Sequence, residues 1–355
     1  MSYRCDGRYR EAAALGDVMS SRKKTLVDAI LGEQLERVPV ASVTQTGIVE
    51  LMEITGAEWP AAHSDPALMA DLSYSAYSLI GFESVRVPFC VTVLAEALGC
   101  DVEMGTISKQ PAVVSHPYAT LPDTFELPVS LSGVGRIPVV LEAVRKLREL
   151  TKGDVAVVAG FEGPVTLAAD LVGTERFMIW TLKHPERVER VLEHTTAACQ
   201  DYAALLGAAG ADVICVADPV ASPELLSPTM FQSMLQPYIT DLGDSIDTPS
   251  VLHICGNVNR ILGSMAQCGF DALSIEEKVR DIEEAQWVTG DRARLIGNIS
   301  CAFTLLDGTP DKVREEALYC LRSGIDVLAP GCGLAPATPI ANCRALIKAR
   351  DELYE

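Results

Sequence analysis

The 355-residue sequence predicts an α/β chain folded as a (β/α)8 TIM barrel, and three observations carry that expectation. Short apolar runs alternate with helical stretches along nearly the whole chain. The runs are apolar at successive positions rather than alternate ones, as in a parallel sheet covered on both faces. The segment "VTQTGIVEL" after the first run holds a single glycine, whereas an open doubly wound sheet usually carries a Gly-rich phosphate loop there.

Taken in order, residues 1–20 read as an N-terminal arm and residues 21–355 as one barrel domain. The stretch "SRKKTLVDAILGE" then places Leu26, Ala29 and Ile30 at helical spacing behind a serine cap signal. Candidate strands are "VPVASV" (38–43), "ESVRV" (83–87), "VAVVAG" (155–160) and "DVICVA" (212–217). They continue with "SVLHIC" (250–255), "DALSIE" (271–276), "RLIGNI" (294–299) and "IDVLAP" (325–330). Most are followed by a Gly, Pro or Asp turn and a helix, such as that over 185–210. The segment 100–135, rich in Pro, Gly and Ser, is an excursion between the second and third strands.

Lysine and arginine number 29 against 48 acids, a formal charge of −19 that argues against nucleic acid and anionic membrane surfaces as partners. No apolar stretch is long enough to span a bilayer. Eleven cysteines are scattered over a long chain whose first residues are polar and mixed in charge rather than a secretion leader. The expectation is a cytoplasmic protein with mostly free thiols and small-molecule partners.

In a barrel the C-terminal ends of the strands converge on one mouth, so chemistry is sought there. The first strand is followed by Gln45 and Thr46, the second by Cys90, the third by Glu162 in "GFEGP" and the fourth by Asp218. The fifth supplies His253 and Cys255, the sixth Glu276 and Glu277, the seventh Asn298 and the eighth Cys332 in "APGCGLAP". An imidazole and two thiols are donors that Zn2+ prefers, and three protein ligands leave a position for substrate. His253, Cys255 and Cys332 therefore read either as a zinc shell or as three buried polar residues. Glu162 is either a fourth, displaceable ligand or a hydrogen-bonded acid at a strand end. Asp218 could touch substrate or orient the histidine, but as a single residue it reads more simply as a cap. Gln45 and Asn298 face the same mouth as candidate substrate contacts. Of Glu276 and Glu277, alternation turns one inward and one outward.

The "HIC" and distant "APGCG" resemble the His-x-Cys…Cys zinc signature of methylcobamide:coenzyme M methyltransferases of the methanol-pathway type, relatives of uroporphyrinogen decarboxylase. "PVASVTQTGIVELME", "EGPVTLAADLV", "VADPVASPELLSP" and "IDVLAPGCGLAP" extend the likeness over about residues 22–355. The resemblance implies a uroporphyrinogen decarboxylase-like barrel with zinc held by His253, Cys255 and Cys332, and Glu162 as the ligand that a thiol displaces. It implies methyl transfer to coenzyme M from a methylcobamide carried by a small corrinoid protein, with another thiol or a pterin as the alternative acceptor. The sulfonate would be met by the Gly256–Asn257 turn or by an arginine such as Arg86. Gln45 and Thr46 stand where the decarboxylase needs arginines and an aspartate, so porphyrinogen is not the expected substrate.

Overall fold

Seven strands follow one another around one parallel sheet in chain order: β1 (Ser84–Val87), β2 (Ala156–Glu162), β3 (Val213–Ala217), β4 (Ser250–His253), β5 (Ala272–Ser274), β6 (Arg294–Ile299) and β7 (Val327–Pro330). The structure, a computed structural model, describes residues 21–122 and 125–355, so the arm expected over 1–20 lies outside the described residues. The first predicted strand is an extended segment that completes the barrel between β7 and β1. Ala41 N donates to Leu328 O at 3.1 Å, Leu328 N donates to Pro39 O at 3.0 Å, and Glu83 N donates to Val40 O at 2.8 Å. Ser42 N donates to Ser84 Oγ at 3.0 Å. Pro39 has no N–H and a serine side chain replaces part of the ladder, so the segment closes the barrel without forming a regular strand.

Alternation divides each strand between two cores. Ala41, Val43, Ala156, Val158, Val213, Cys215, Val251, Ala272, Ile296, Val327 and Ala329 fill the interior. These side chains are mostly small, as stacked interior layers require. Leu26, Ala29 and Ile30 lie on one face of the helix Ser21–Leu31, as their spacing predicted, and pack against the same cluster at its base. The intervening residues, such as Val85, Val157, Phe161, Leu252 and Leu295, belong to the larger core. Helix Ile137–Thr151 shows how that outer layer is specified: Ile137, Val140, Leu141, Val144 and Leu147 are buried along one stripe.

The excursion predicted over 100–135 contains a small antiparallel pair, Val102–Glu103 against Ala112–Val113. No helix among the described residues is long and apolar enough to cross a membrane. One predicted span ends early. β4 stops at His253, and Cys255 lies in the turn beyond it, where Gly256 takes φ +87°.

A buried carboxylate ties the seam together. Glu83 Oε1 accepts from Arg37 Nη1 at 2.6 Å and from Arg350 Nη1 at 2.7 Å, and Arg350 Nη1 also donates to Val38 O at 3.3 Å. The closing segment, β1 and the C-terminal helix Ile340–Tyr354 thereby share one node. Glu83→Ala leaves the Arg350 guanidinium buried without its main partner, and should cost about 3 kcal/mol in urea unfolding. A loss below about 1 kcal/mol would mean that the node contributes little to closure.

Candidate metal centre

The residues that meet at the mouth do so through strand register. His253 is the last residue of β4, in the inward row that begins with Val251, and it pairs with Ser274 of β5. Its Nδ1 lies 3.2 Å from Ser274 O and 3.0 Å from Ser274 Oγ. A carbonyl oxygen only accepts, so this contact assigns the hydrogen to Nδ1 and leaves the Nε2 lone pair free. Nε2 lies 3.2 Å from Cys255 Sγ and 3.5 Å from Cys332 Sγ, and the two sulfurs are 3.8 Å apart. Glu276, two residues beyond Ser274, brings a carboxylate oxygen, and all four donors lie within 4.8 Å of one another. His253 is buried and the other three are partly exposed, so the group has an open side.

Each loop is shaped to deliver its donor. Ser222 Oγ donates to Cys255 O at 2.7 Å and holds the turn after β4. The Cys332 loop is held by Gln45, whose Nε2 donates to Leu334 O. Gln45 O accepts from Leu334 N at 3.0 Å, and its Oε1 accepts from Gly47 N at 2.7 Å. A Cβ on Gly333 would stand 2.8 Å from Gln45 Cγ, so the glycine permits this close packing. Gln45, expected to touch substrate, is placed as a clamp on the thiol loop.

The donor spacing suits zinc. With Zn–S of about 2.3 Å and Zn–N of about 2.0–2.1 Å, a tetrahedron has edges of about 3.8 Å between sulfurs and about 3.6 Å between sulfur and nitrogen. The same four groups act strongly on one another electrostatically. A hydrogen bond from Cys255 holds the Cys332 thiol well below its ordinary range against the effect of burial, with His253 and the Gly333 N–H helping. That same hydrogen bond pushes Cys255 up, with burial and Glu276 adding to it. Burial first, then the charge of Cys332, raises Glu276. Burial alone would lower His253, but Cys332 more than offsets it. Two thiols and a carboxylate this close cannot all ionise without a cation among them, which a divalent metal would provide.

Three sequence-predicted residues have other tasks. Glu162 is not among the clustered donors: its Oε1 accepts from Ala95 N at 2.8 Å, and burial raises its pKa. The register Glu162–Ala217–His253 puts it two strand spacings from the histidine, about 9–10 Å. The carboxylate at the centre is instead Glu276, whose strand is the immediate neighbour of β4. Asp218 accepts from Val165 N at 3.1 Å and from Thr166 N and Oγ1, each at 2.6 Å, which caps the helix Pro164–Val172. Burial lifts its pKa to about 6 against those hydrogen bonds. Asn298 turns outward: Nδ2 donates to Val279 O at 2.6 Å, and Oδ1 accepts from the Cys320 thiol at 3.2 Å. Sequence reasoning overlooked Ser274, although the i, i+2 spacing of Ser274 and Glu276 repeats that of His253 and Cys255.

A model of the uroporphyrinogen decarboxylase (URO-D) family matches residues 21–353. The methylcobamide:CoM methyltransferase MtaA of Methanosarcina barkeri is 52% identical over 332 residues, covering 94% of this chain and 98% of that protein. The methylcobamide:CoM methyltransferase MtbA of Methanosarcina acetivorans is 34% identical, with 92% of this chain and 96% of that protein covered. A solved methyltransferase from Methanosarcina mazei superposes with a TM-score of 0.93 at 50% identity, covering 95% of this chain and 100% of the other.

The geometry makes a prediction about metal binding. The purified chain should hold about one zinc, and Ser274→Ala should weaken it about 10-fold or more in chelator competition by loosening the imidazole. Cys332→Ala should weaken it further, whereas Glu162→Gln should retain the full zinc content. Loss of zinc from the Glu162 variant would return that residue to the ligand set.

Proposed function

The chain belongs to the uroporphyrinogen decarboxylase family and sides with its methylcobamide:CoM methyltransferases, and on that premise we propose that it transfers a methyl group from a protein-bound methyl-Co(III) corrinoid to the thiol of coenzyme M. The observation that carries this reading is the group His253, Cys255, Glu276 and Cys332, gathered at the barrel mouth with one side open. In the reaction the Co–C bond breaks with its electron pair left on cobalt, a C–S bond forms, and the thiol proton is released. The products are methyl-coenzyme M and the Co(I) corrinoid, and the first would feed methane formation.

Zinc held by these four residues would supply the Lewis acidity that keeps a substrate thiol deprotonated near neutral pH. His253 contributes an imidazole fixed in ring orientation and tautomer by Ser274. Cys255 and Cys332 contribute sulfur donors whose negative charge keeps the attacking sulfur electron-rich. Glu276 is the one oxygen donor and is partly exposed, so it is the member that can yield its place. Its carboxylate, raised by burial, is suited to accept the proton that the thiol loses. The corrinoid arrives on a separate small protein that covers the mouth. Ten cysteines among the described residues are free thiols, which supports a reducing cytoplasmic setting.

The purified zinc form should convert methylcobalamin and coenzyme M to cob(I)alamin and methyl-coenzyme M. His253→Ala should slow this about 1000-fold or more, and chelation should abolish it until zinc is restored. A zinc-replete protein that methylates a pterin and not the thiol would overturn the assignment.

A further inference from the structure

Below the metal centre the barrel holds a cation without a counter-charge. Arg86 lies on β1 in register with Val158, an interior residue, so its side chain enters the barrel. It is only 3% exposed. Nη1 donates to Pro88 O, while Nε is buried with no hydrogen-bond partner. Among the described residues no carboxylate forms an ion pair with it; Glu162, in the row above, is bonded to Ala95 N instead. Such a group is costly to bury alone, and five N–H donors on a planar fork suit a tetrahedral oxyanion.

The barrel is built to admit this side chain. A Cβ on Gly160 would overlap the Arg86 guanidinium, so that β2 residue must be a glycine for the arginine to lie where it does. Gly160 pairs with Cys215, and the next inward row up is Glu162, Ala217 and His253. One such step along a strand is about 6.6 Å. A guanidinium one row beneath the histidine is therefore within reach of an anion tethered to a metal-bound thiol by two methylene groups.

The other candidates, Arg136 and the Gly256–Asn257 turn, are already engaged. Arg136 pairs with Glu96 and donates to Thr92 Oγ1 at 2.9 Å. Asn257 N donates to Glu224 Oε1 at 3.1 Å, and the Gly256 N–H is taken by Glu276. We propose that Arg86 is the anion subsite of the pocket, binding the sulfonate of the thiol substrate while the sulfur sits among His253, Cys255 and Cys332. This rests on the reading of coenzyme M as acceptor and adds the residue that selects it.

The test compares coenzyme M with 2-mercaptoethanol, which lacks the sulfonate, on the full-length zinc-loaded protein. Wild type should prefer coenzyme M in kcat/KM, and Arg86→Gln should shrink that preference about 100-fold, mainly through KM. Arg86→Lys should recover part of it. The ratio is internal to each folded variant, so a general loss of activity does not mimic the effect. Ethanesulfonate, which has no thiol, should raise the melting temperature of wild type and not of Arg86→Gln. If wild type methylates coenzyme M and Arg86→Gln discriminates as well as wild type does, Arg86 is not the subsite and the reaction stands. If wild type methylates neither thiol, the proposed reaction falls, and the ethanesulfonate response alone decides for or against an anion site at Arg86.

Discussion

The pairing of β4 with β5 is the constraint on which the mouth depends. It sets Ser274 beside His253, and that contact decides which ring nitrogen faces the thiols. It also fixes Glu276 one step further along, level with the turn that carries Cys255. Two strands with polar residues spaced by two positions give three of the four candidate donors a common frame. Only Cys332 comes from further round the barrel, and its loop is held by glycines and by Gln45 from the closing segment. The site is therefore as rigid as the sheet beneath it, which suits a centre that must hold its donors close before any substrate arrives.

Two buried arginines, Arg350 and Arg86, are treated in opposite ways. Arg350 meets Glu83 and Asp351, and its role is to seal the seam. Arg86 meets one backbone carbonyl and no acid. A fold selected only for stability would pair or remove the second. In an overwhelmingly acidic chain, with 48 acids against 29 bases, the separation of Arg86 from every carboxylate ion pair is a property of placement rather than of composition.

Much of this was legible in the sequence, because the relevant signals have short periods. The strand positions follow from continuous apolar runs, the helix with Leu26, Ala29 and Ile30 from helical spacing, and the pairing of His253 with Cys255 from their separation by two residues. The association of that pair with Cys332 came from donor chemistry and a resemblance. What was not legible depends on which strands are neighbours. Glu162 and Glu276 both end strands, and nothing local says that one adjoins the histidine while the other lies two strands away. Asp218 and Asn298 face other elements, and the partners that claim them, Thr166 and Cys320, are distant in the chain. Gln45 was visible as a residue of the mouth, but its bond to Leu334 spans 289 positions.

The helix Ser21–Leu31 closes the base of the barrel, and that has a kinetic consequence. A barrel closed at its base by this helix and open at its mouth imposes an order of events. On the proposed reaction, the small thiol would have to enter before a bulky methyl donor covers the opening, and the methylated product could depart only once that donor had withdrawn. Turnover in such a vessel would run last in and first out. On the proposed reaction, a corrinoid protein seated on the mouth would then set the pace of product escape as well as of methyl delivery.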